Sequence, residues 1–250
     1  MEVIDTNAWF GRGMLGPLPG SPDEVVDAAR AVGIDRVCLT PLDAIWYHNP
    51  HLGNDELYRI ADRRAAVLPV PLLDPTIASW ADELALAVTR QAAMVKLAPA
   101  YSGYEPAAAE PLLAAAEAAG MPVVVQVRVE DPRYHHPRAR VPDADVAAIA
   151  RLAGRRPRLR LVLGGASTAA LLAVAHELRD LAGLFADLSQ ADGLDAVRRL
   201  VDAGLLPKLL FATHAPLFAP LAGLARVLPE LDDVSAAAVL GGNARRLLRL

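Results

Sequence analysis

The stretch Glu110-Pro-Leu-Leu-Ala-Ala-Ala-Glu-Ala-Ala-Gly-Met-Pro-Val-Val-Val-Gln-Val127 holds the fold in miniature. Glu110–Ala119 reads as a helix, and Gly120 stands where a helix closes in a left-handed residue. The run Pro122–Val127 that follows is apolar without alternation, as expected of a strand covered on both faces. A helix, a short turn and a buried strand make one unit of a parallel sheet.

Working outward, the same unit recurs. Short apolar runs bounded by Pro, Gly or polar residues occur at Glu2–Asp5, Arg36–Thr40, Val67–Leu72, Ala93–Leu97, Pro122–Val127, Leu159–Leu163, Leu184–Leu188 and Leu209–Ala212. Between them lie helical patterns. Ser21-Pro-Asp-Glu24 combines a capping Ser, an early Pro and Glu at the third position. Asn54, Trp80, Asp143 and Asp192 begin further helices, and Ser235–Leu250 reads as a closing one. Eight such units predict an α/β fold, a single (β/α)8 TIM barrel. No break in composition marks a linker, so residues 1–250 are expected to form one domain.

Composition narrows the function. The chain is 54% hydrophobic with 5% aromatic residues, which suits Ala/Leu-rich helices on a buried sheet. A net charge of -4 with interspersed signs offers no basic surface for nucleic acid. Cys38 is the single cysteine, so an internal disulfide is excluded, and its apolar surroundings predict a structural thiol. No apolar run is long enough for a membrane helix, and the start lacks a cationic segment, so a cytoplasmic protein is expected.

In such a barrel the working face lies at the C-terminal ends of the strands. Two long connections fall there, Asp43–Gly53 and Glu130–Pro142, and they hold four of the six histidines, among them His48 and His136. Asp5 and Asn7 are two apart at the end of the first run, so both are expected to face the mouth. Asn7 suits substrate orientation or, equally, a turn. By the same period Gln126 and Arg128 share a side, and the guanidinium suits a carboxylate or an internal acid. Lys96, inside a buried run, needs a partner or a lowered pKa; it reads as a base, a carbamylated metal bridge or half of an ion pair. His214, in Phe211-Ala-Thr-His-Ala-Pro216, is placed for acid–base work, metal binding or a turn. Asp187 ends a run where it would act as base or as partner to His214. His176 reads as structural. Gly164-Gly165 permits close backbone approach or an anion at the next helix.

Several motifs together resemble the amidohydrolase-2 branch of the metal-dependent amidohydrolase superfamily. They are Val3-Ile-Asp5, Gly33-Ile-Asp-Arg36, Lys96-Leu-Ala-Pro99 with Gly103-Tyr104, Gly120-Met-Pro-Val123, Leu210-Phe-Ala-Thr213 with Pro216, and Gly242-Asn-Ala-Arg-Arg-Leu247. The resemblance implies a barrel and places metal ligands at Asn7, Trp9, Ala98, Gln126, Gly165 and His214. Each of those positions carries a substituted residue. The family therefore implies hydrolase chemistry, and the substitutions predict a site without the usual metal.

A divergent branch with a similar Asp-x-Asn start, Thr-His-x-Pro turn and Asp131-Pro-Arg133-Tyr-His-His136 segment fits this pattern. On this reading the chain hydrolyses or decarboxylates a small carboxylate- or carbonyl-bearing molecule. His214, Asp5, Asn7 and Asp187 would be catalytic. Gln126, Arg128, Lys96, Arg133, His136, Tyr104, Trp9 and His48 would contact substrate. No cofactor is expected; the alternative is a divalent metal on His214, His136, Asp5 and Asp131. Another reading is a non-catalytic barrel that binds a ligand or a protein. A homo-oligomer is compatible with the tryptophans.

Overall fold

The computed structural model describes all residues except 1, 13–19, 132, 134, 136, 137 and 139. Eight parallel strands alternate with helices: β1 (Ile4–Phe10), β2 (Arg36–Pro41), β3 (Val67–Pro69), β4 (Val95–Leu97), β5 (Val123–Gln126), β6 (Leu161–Gly164), β7 (Leu184–Asp187) and β8 (Leu209–Leu210). Regular pairing runs β1-β2-β3 and β4-β5-β6-β7-β8. Two seams close the ring. At the first, Pro69 and Pro71 have no N–H to give, so ladder pairing stops and β3 is shorter than the Val67–Leu72 run suggested. Their carbonyls still accept, from Ala93 N and Lys96 N at 2.9 Å each, and Leu72 bridges Lys96. At the second, Thr6 N donates to Phe211 O and His214 N to Asn7 O, both at 3.0 Å. The eight units of the sequence thus close as a (β/α)8 barrel.

Local signals place the elements. Ser21 and Glu24 cap each other at the head of the helix Pro22–Ala31. Gly120 takes φ 65° after Glu110–Ala119 and turns the chain into β5 within three residues. The closing segment is not one even helix: Asp233–Ala237 and Asn243–Leu248 flank a wider turn at Ala238–Gly242. Three helices carried no strong sequence signal, Thr168–Ala173, Ala175–Asp180 and Pro220–Val227.

The apolar residues sort into layers. Outward side chains such as Val37, Leu39, Val95, Leu97, Val123, Val125, Leu161 and Leu163 pack under the helices. Inward ones, Ile4, Cys38, Leu68, Met94, Val124, Val162, Phe185 and Leu210, fill the lower barrel, and Leu247 of the last helix packs with them. A third cluster, Trp9, Leu42, Ile45, Leu72, Ala98 and Val129, caps the upper end. The polar residues of interest lie between those two inner clusters.

Candidate active site at the strand ends

β1 positions the first group. From Asp5 to Ala8 it advances three residues while β2 advances two, from Val37 to Leu39. This bulge resets the alternation, so Asp5 and Asn7 do not face the mouth together as their spacing predicted. Asn7 and Trp9 meet Lys96 inside the barrel: Lys96 Nζ donates to Asn7 Oδ1 at 2.7 Å and lies 3.8 Å over the Trp9 ring. Asn7 Nδ2 in turn donates to Asp187 Oδ2 at 2.7 Å and Gln126 Oε1 at 3.1 Å. Asn7 orients its neighbours through one acceptor and two donors, and all four of these polar side chains are buried.

Asp5 braces the backbone instead. Its carboxylate accepts from Asn7 N at 3.1 Å, from Thr213 N at 3.0 Å and from the Thr213 hydroxyl. Burial pushes its pKa up to about 6 against those bonds. The effect is to tie β1 to the turn that carries His214.

Asp187 is not a partner of His214 by hydrogen bond. Its Oδ1 accepts from Gly165 N, Ser189 N and Ser189 Oγ at 3.1, 2.9 and 2.6 Å. Four neutral donors therefore surround one buried carboxylate. Two glycines make this possible. A Cβ at Gly164 would stand 2.8 Å from Gln126 Oε1, and one at Gly165, at φ +66°, 2.4 Å from the Arg128 carbonyl. The Gly-Gly pair thus serves close approach, as one of its two readings held.

His214 sits at φ 63°, a conformation that is uncommon for a residue with a side chain. Its Nε2 lies 2.6 Å from Val129 O. A carbonyl can only accept, so Nε2 carries the proton and the neutral ring keeps its lone pair on Nδ1. Among the described residues that Nδ1 is buried without a hydrogen-bond partner, as is Trp9 Nε1, and the two rings meet edge-on at 6.1 Å. Burial lowers the imidazole pKa to about 4. At neutral pH the ring is a base and not an acid. Lys96 is pushed the same way, down to about 7, by desolvation that Asp187 and Asp5 only partly offset.

Other expected contacts lie elsewhere. β5 ends at Gln126, so the strand period does not carry on to Arg128; its guanidinium goes to Asp143 at 2.9 and 2.5 Å, and its carbonyl accepts from Gln126 Nε2. Arg133 pairs with Asp131 and its side chain is 84% exposed. His48 is exposed. Tyr104 borders the layer between barrel and helices with Leu97, Val125 and Leu152, outside the lumen. His136 lies outside the described residues. His51 is structural, joining Ser79 to Asp74 N. Sequence reasoning missed Thr213, Ser189 and Gln190, whose Nε2 donates to Val129 O at 3.0 Å. The Thr-His and Asp-x-Ser spacings were the available signals for the first two.

The profile of the amidohydrolase family matches residues 45–250. No curated protein matches. Among solved structures, 5-carboxyvanillate decarboxylase from Sphingomonas paucimobilis is 14% identical with a TM-score of 0.76, covering 100% of this chain and 99% of that one. The 2,6-dihydroxybenzoate decarboxylase from Rhizobium is 15% identical with a TM-score of 0.69, over 99% and 98%. A dihydroxybenzoic acid decarboxylase from Polaromonas, with bound manganese and the inhibitor 2-nitroresorcinol, is 15% identical with a TM-score of 0.72, over 100% and 97%. At such identities the likeness is one of fold.

Among the described residues the candidate oxygen donors are engaged in hydrogen bonds. The Asn7 oxygen is taken by an amine, the Gln126 oxygen by Asn7, and both Asp187 oxygens by N–H and O–H donors. Asp5 is committed to Thr213, and Asp131 to Arg133. Among the described residues no three of His, Cys, Asp and Glu converge as ligands. Nor does any described helix have the length and apolarity to cross a membrane.

Proposed function

The chain belongs to the amidohydrolase family, which places it among the enzymes of that superfamily, and from that premise we propose that it hydrolyses or decarboxylates a small carboxylate- or carbonyl-bearing molecule without the usual catalytic metal. The reading rests on one observation above the others. Lys96, Asn7, Gln126 and Asp187 form a continuous hydrogen-bonded set inside the barrel, and nearby His214 has a ring nitrogen with no partner among the described residues. A discarded site fills with apolar side chains; this one keeps its polar groups and satisfies them in pairs. Decarboxylase activity in structural relatives supports carboxylates as the substrate class.

In this proposal His214 Nδ1 is the base, since Nε2 is held to Val129. Asn7 and Gln126 orient substrate, and Asp187 fixes Asn7. Nearby cationic Lys96 would stabilise negative charge developing on the substrate. The test is a thermal-shift screen of carboxylates and lactones, followed by turnover assays on the hits with wild type and His214→Ala. Equal turnover by both proteins removes His214 from the mechanism. Elemental analysis of the purified protein is the companion measurement, and near-stoichiometric manganese, zinc or iron overturns the metal-free part.

A second reading, a barrel that binds without catalysis, is favoured by the substitution of the family's usual metal-ligand positions, among them Asn7, Gln126 and Gly165. Trp9, Ile45 and Val129 pack in one cluster at the upper end of the barrel, and His214 is buried. Hits that bind with no turnover under any condition would establish it.

A further inference from the structure

Of the 25 lysines and arginines in the chain, only Lys96 and Lys208 are lysine. Elsewhere the protein meets its need for positive charge with arginine. The two groups differ in one chemical respect that matters here. A guanidinium stays charged in any protein environment, whereas an amine gives up its proton when buried and becomes a nucleophile.

Lys208 has a structural explanation: its Nζ donates to Leu181 O at 2.6 Å and Ala182 O at 3.1 Å. Lys96 does not. It is among the most deeply buried large side chains, and its one hydrogen-bond acceptor among the described residues is the neutral amide oxygen of Asn7. Among the described residues no carboxylate pairs with it directly; Asp187 is reached through Asn7. The remaining side of the amine faces the Trp9 ring. Among the described residues, two ring nitrogens have no partner: Trp9 Nε1, in the ring under the amine, and His214 Nδ1, in the ring that meets Trp9 edge-on. Buried polar atoms are rarely left so. Of the two, the Trp9 N–H is a donor that an oxygen of a small molecule would satisfy, and the His214 nitrogen is an acceptor that would take a proton.

We propose that Lys96 is a carbonyl-trapping amine, which adds through Nζ to the ketone or aldehyde carbon of a small oxo acid and forms an imine in the barrel mouth. The step balances without any redox partner. The nitrogen lone pair forms the new C–N bond, the carbonyl oxygen takes two protons, and it leaves as water. With a 3-oxo acid, the protonated imine then accepts the electron pair of the C–CO2 bond. CO2 departs, the resulting enamine takes a proton at carbon from water, and hydrolysis returns the ketone and the free amine. This deepens the decarboxylase form of the proposed function and rests on it, since the imine supplies the electron sink that a metal would otherwise provide. Burial supports it by bringing the amine pKa down to about 7, so that much of Lys96 is uncharged at neutral pH.

The experiment is reductive trapping on the whole protein. Wild type is incubated with acetoacetate, pyruvate, glyoxylate and succinic semialdehyde, each with cyanoborohydride, and digested for mass spectrometry. The expected result is a reduced adduct on the peptide containing Lys96, saturating with probe concentration, while Lys208 stays unmodified. Lys96→Arg keeps a cation and loses the adduct. Because the wild-type map locates the modification by itself, a misfolded variant leaves the test intact. Recovery of the Lys96 peptide unmodified with every probe overturns the proposal. Turnover of carboxylates together with an unmodified Lys96 sinks the imine alone. An adduct at Lys96 in a protein that turns over no carboxylate sinks the proposed function instead.

Discussion

The two lysines lie at opposite ends of the barrel and show what each end is for. Lys208 precedes β8, near the N-terminal face, where two backbone carbonyls and the Phe185 ring, 5.3 Å away, surround its ammonium. The group is fully used in holding Leu181 and Ala182. Lys96 stands at the other end with one acceptor and an aromatic face. Both are buried and both pKa values are lowered by desolvation. The difference lies in what the amine still has to give: at Lys208 its protons are spent on structure, and at Lys96 they are not. Barrels generally put stability at the bottom and chemistry at the top, and on the proposed function this chain would do so with the same residue type.

The largest effect expected from breaking this comparison is on catalysis. Lys96→Met is predicted to reduce turnover of any substrate found to background, because both the nucleophile and the nearest positive charge are lost. Its melting temperature should stay at or above that of wild type near pH 6, because the substitution removes a buried charge whose attraction to Asp187 and Asp5 does not repay its desolvation. A loss of activity with equal loss of folding would place Lys96 with Lys208 as a structural group.

The second effect is on pH dependence. In the fold the Lys96 pKa is about 7, against 10.5 for a free lysine. Below about 7 both folded and unfolded states carry the proton, and the cost of burying it is complete. Between there and 10.5 the folded state is neutral while the unfolded state still holds its proton, so the cost fades. Wild-type stability relative to Lys96→Met is therefore predicted to rise with pH across that window, by on the order of a few kcal/mol. His214, lowered to about 4, acts in a separate window and destabilises as pH falls from 6.5. Asp5, raised to about 6, makes its cost felt as pH rises from 3.8. Denaturant titrations of wild type and Lys96→Met at pH 6, 8 and 10 measure the difference; a flat result removes the lowered pKa.

How far the sequence disclosed this arrangement depends on which atoms do the work. Eight apolar runs foretold eight strands because a buried parallel strand needs continuous apolar residues. Asn7, Lys96, Gln126 and Asp187 stood out as polar residues in or beside such runs, and they do meet. What could not be read were the contributions of the backbone. The Val129 carbonyl that fixes the His214 tautomer has no signature in a side chain, and neither has the bulge that separates Asp5 from Asn7. Arg128 meets an internal acid, Asp143, which is one of its two readings, while its expected place beside Gln126 fails because β5 ends at Gln126. Gly165 was legible as a close approach, but its partner, the Arg128 carbonyl, was not.

The third effect is at the structural lysine. Lys208→Met leaves the Leu181 and Ala182 carbonyls without their charged donor, which is predicted to cost about 2 kcal/mol of stability. Turnover should be unchanged, since Lys208 lies at the far end of the barrel. Chemical denaturation beside a turnover assay separates the two readouts, and a fall in turnover per folded molecule would show that the two ends are coupled.

The smallest effect is the sharpest for the comparison, because the same substitution is made at both ends. Lys208→Arg keeps a cation that can still reach backbone carbonyls, and it is predicted to change stability by under about 1 kcal/mol. Lys96→Arg is predicted to lose imine trapping altogether, since a guanidinium holds its proton and offers no free lone pair. If arginine were tolerated with function at both positions, the scarcity of lysine in this chain would carry no chemical meaning. If it is tolerated only at 208, the amine at 96 is retained for the one property arginine lacks, its ability to lose a proton inside the barrel.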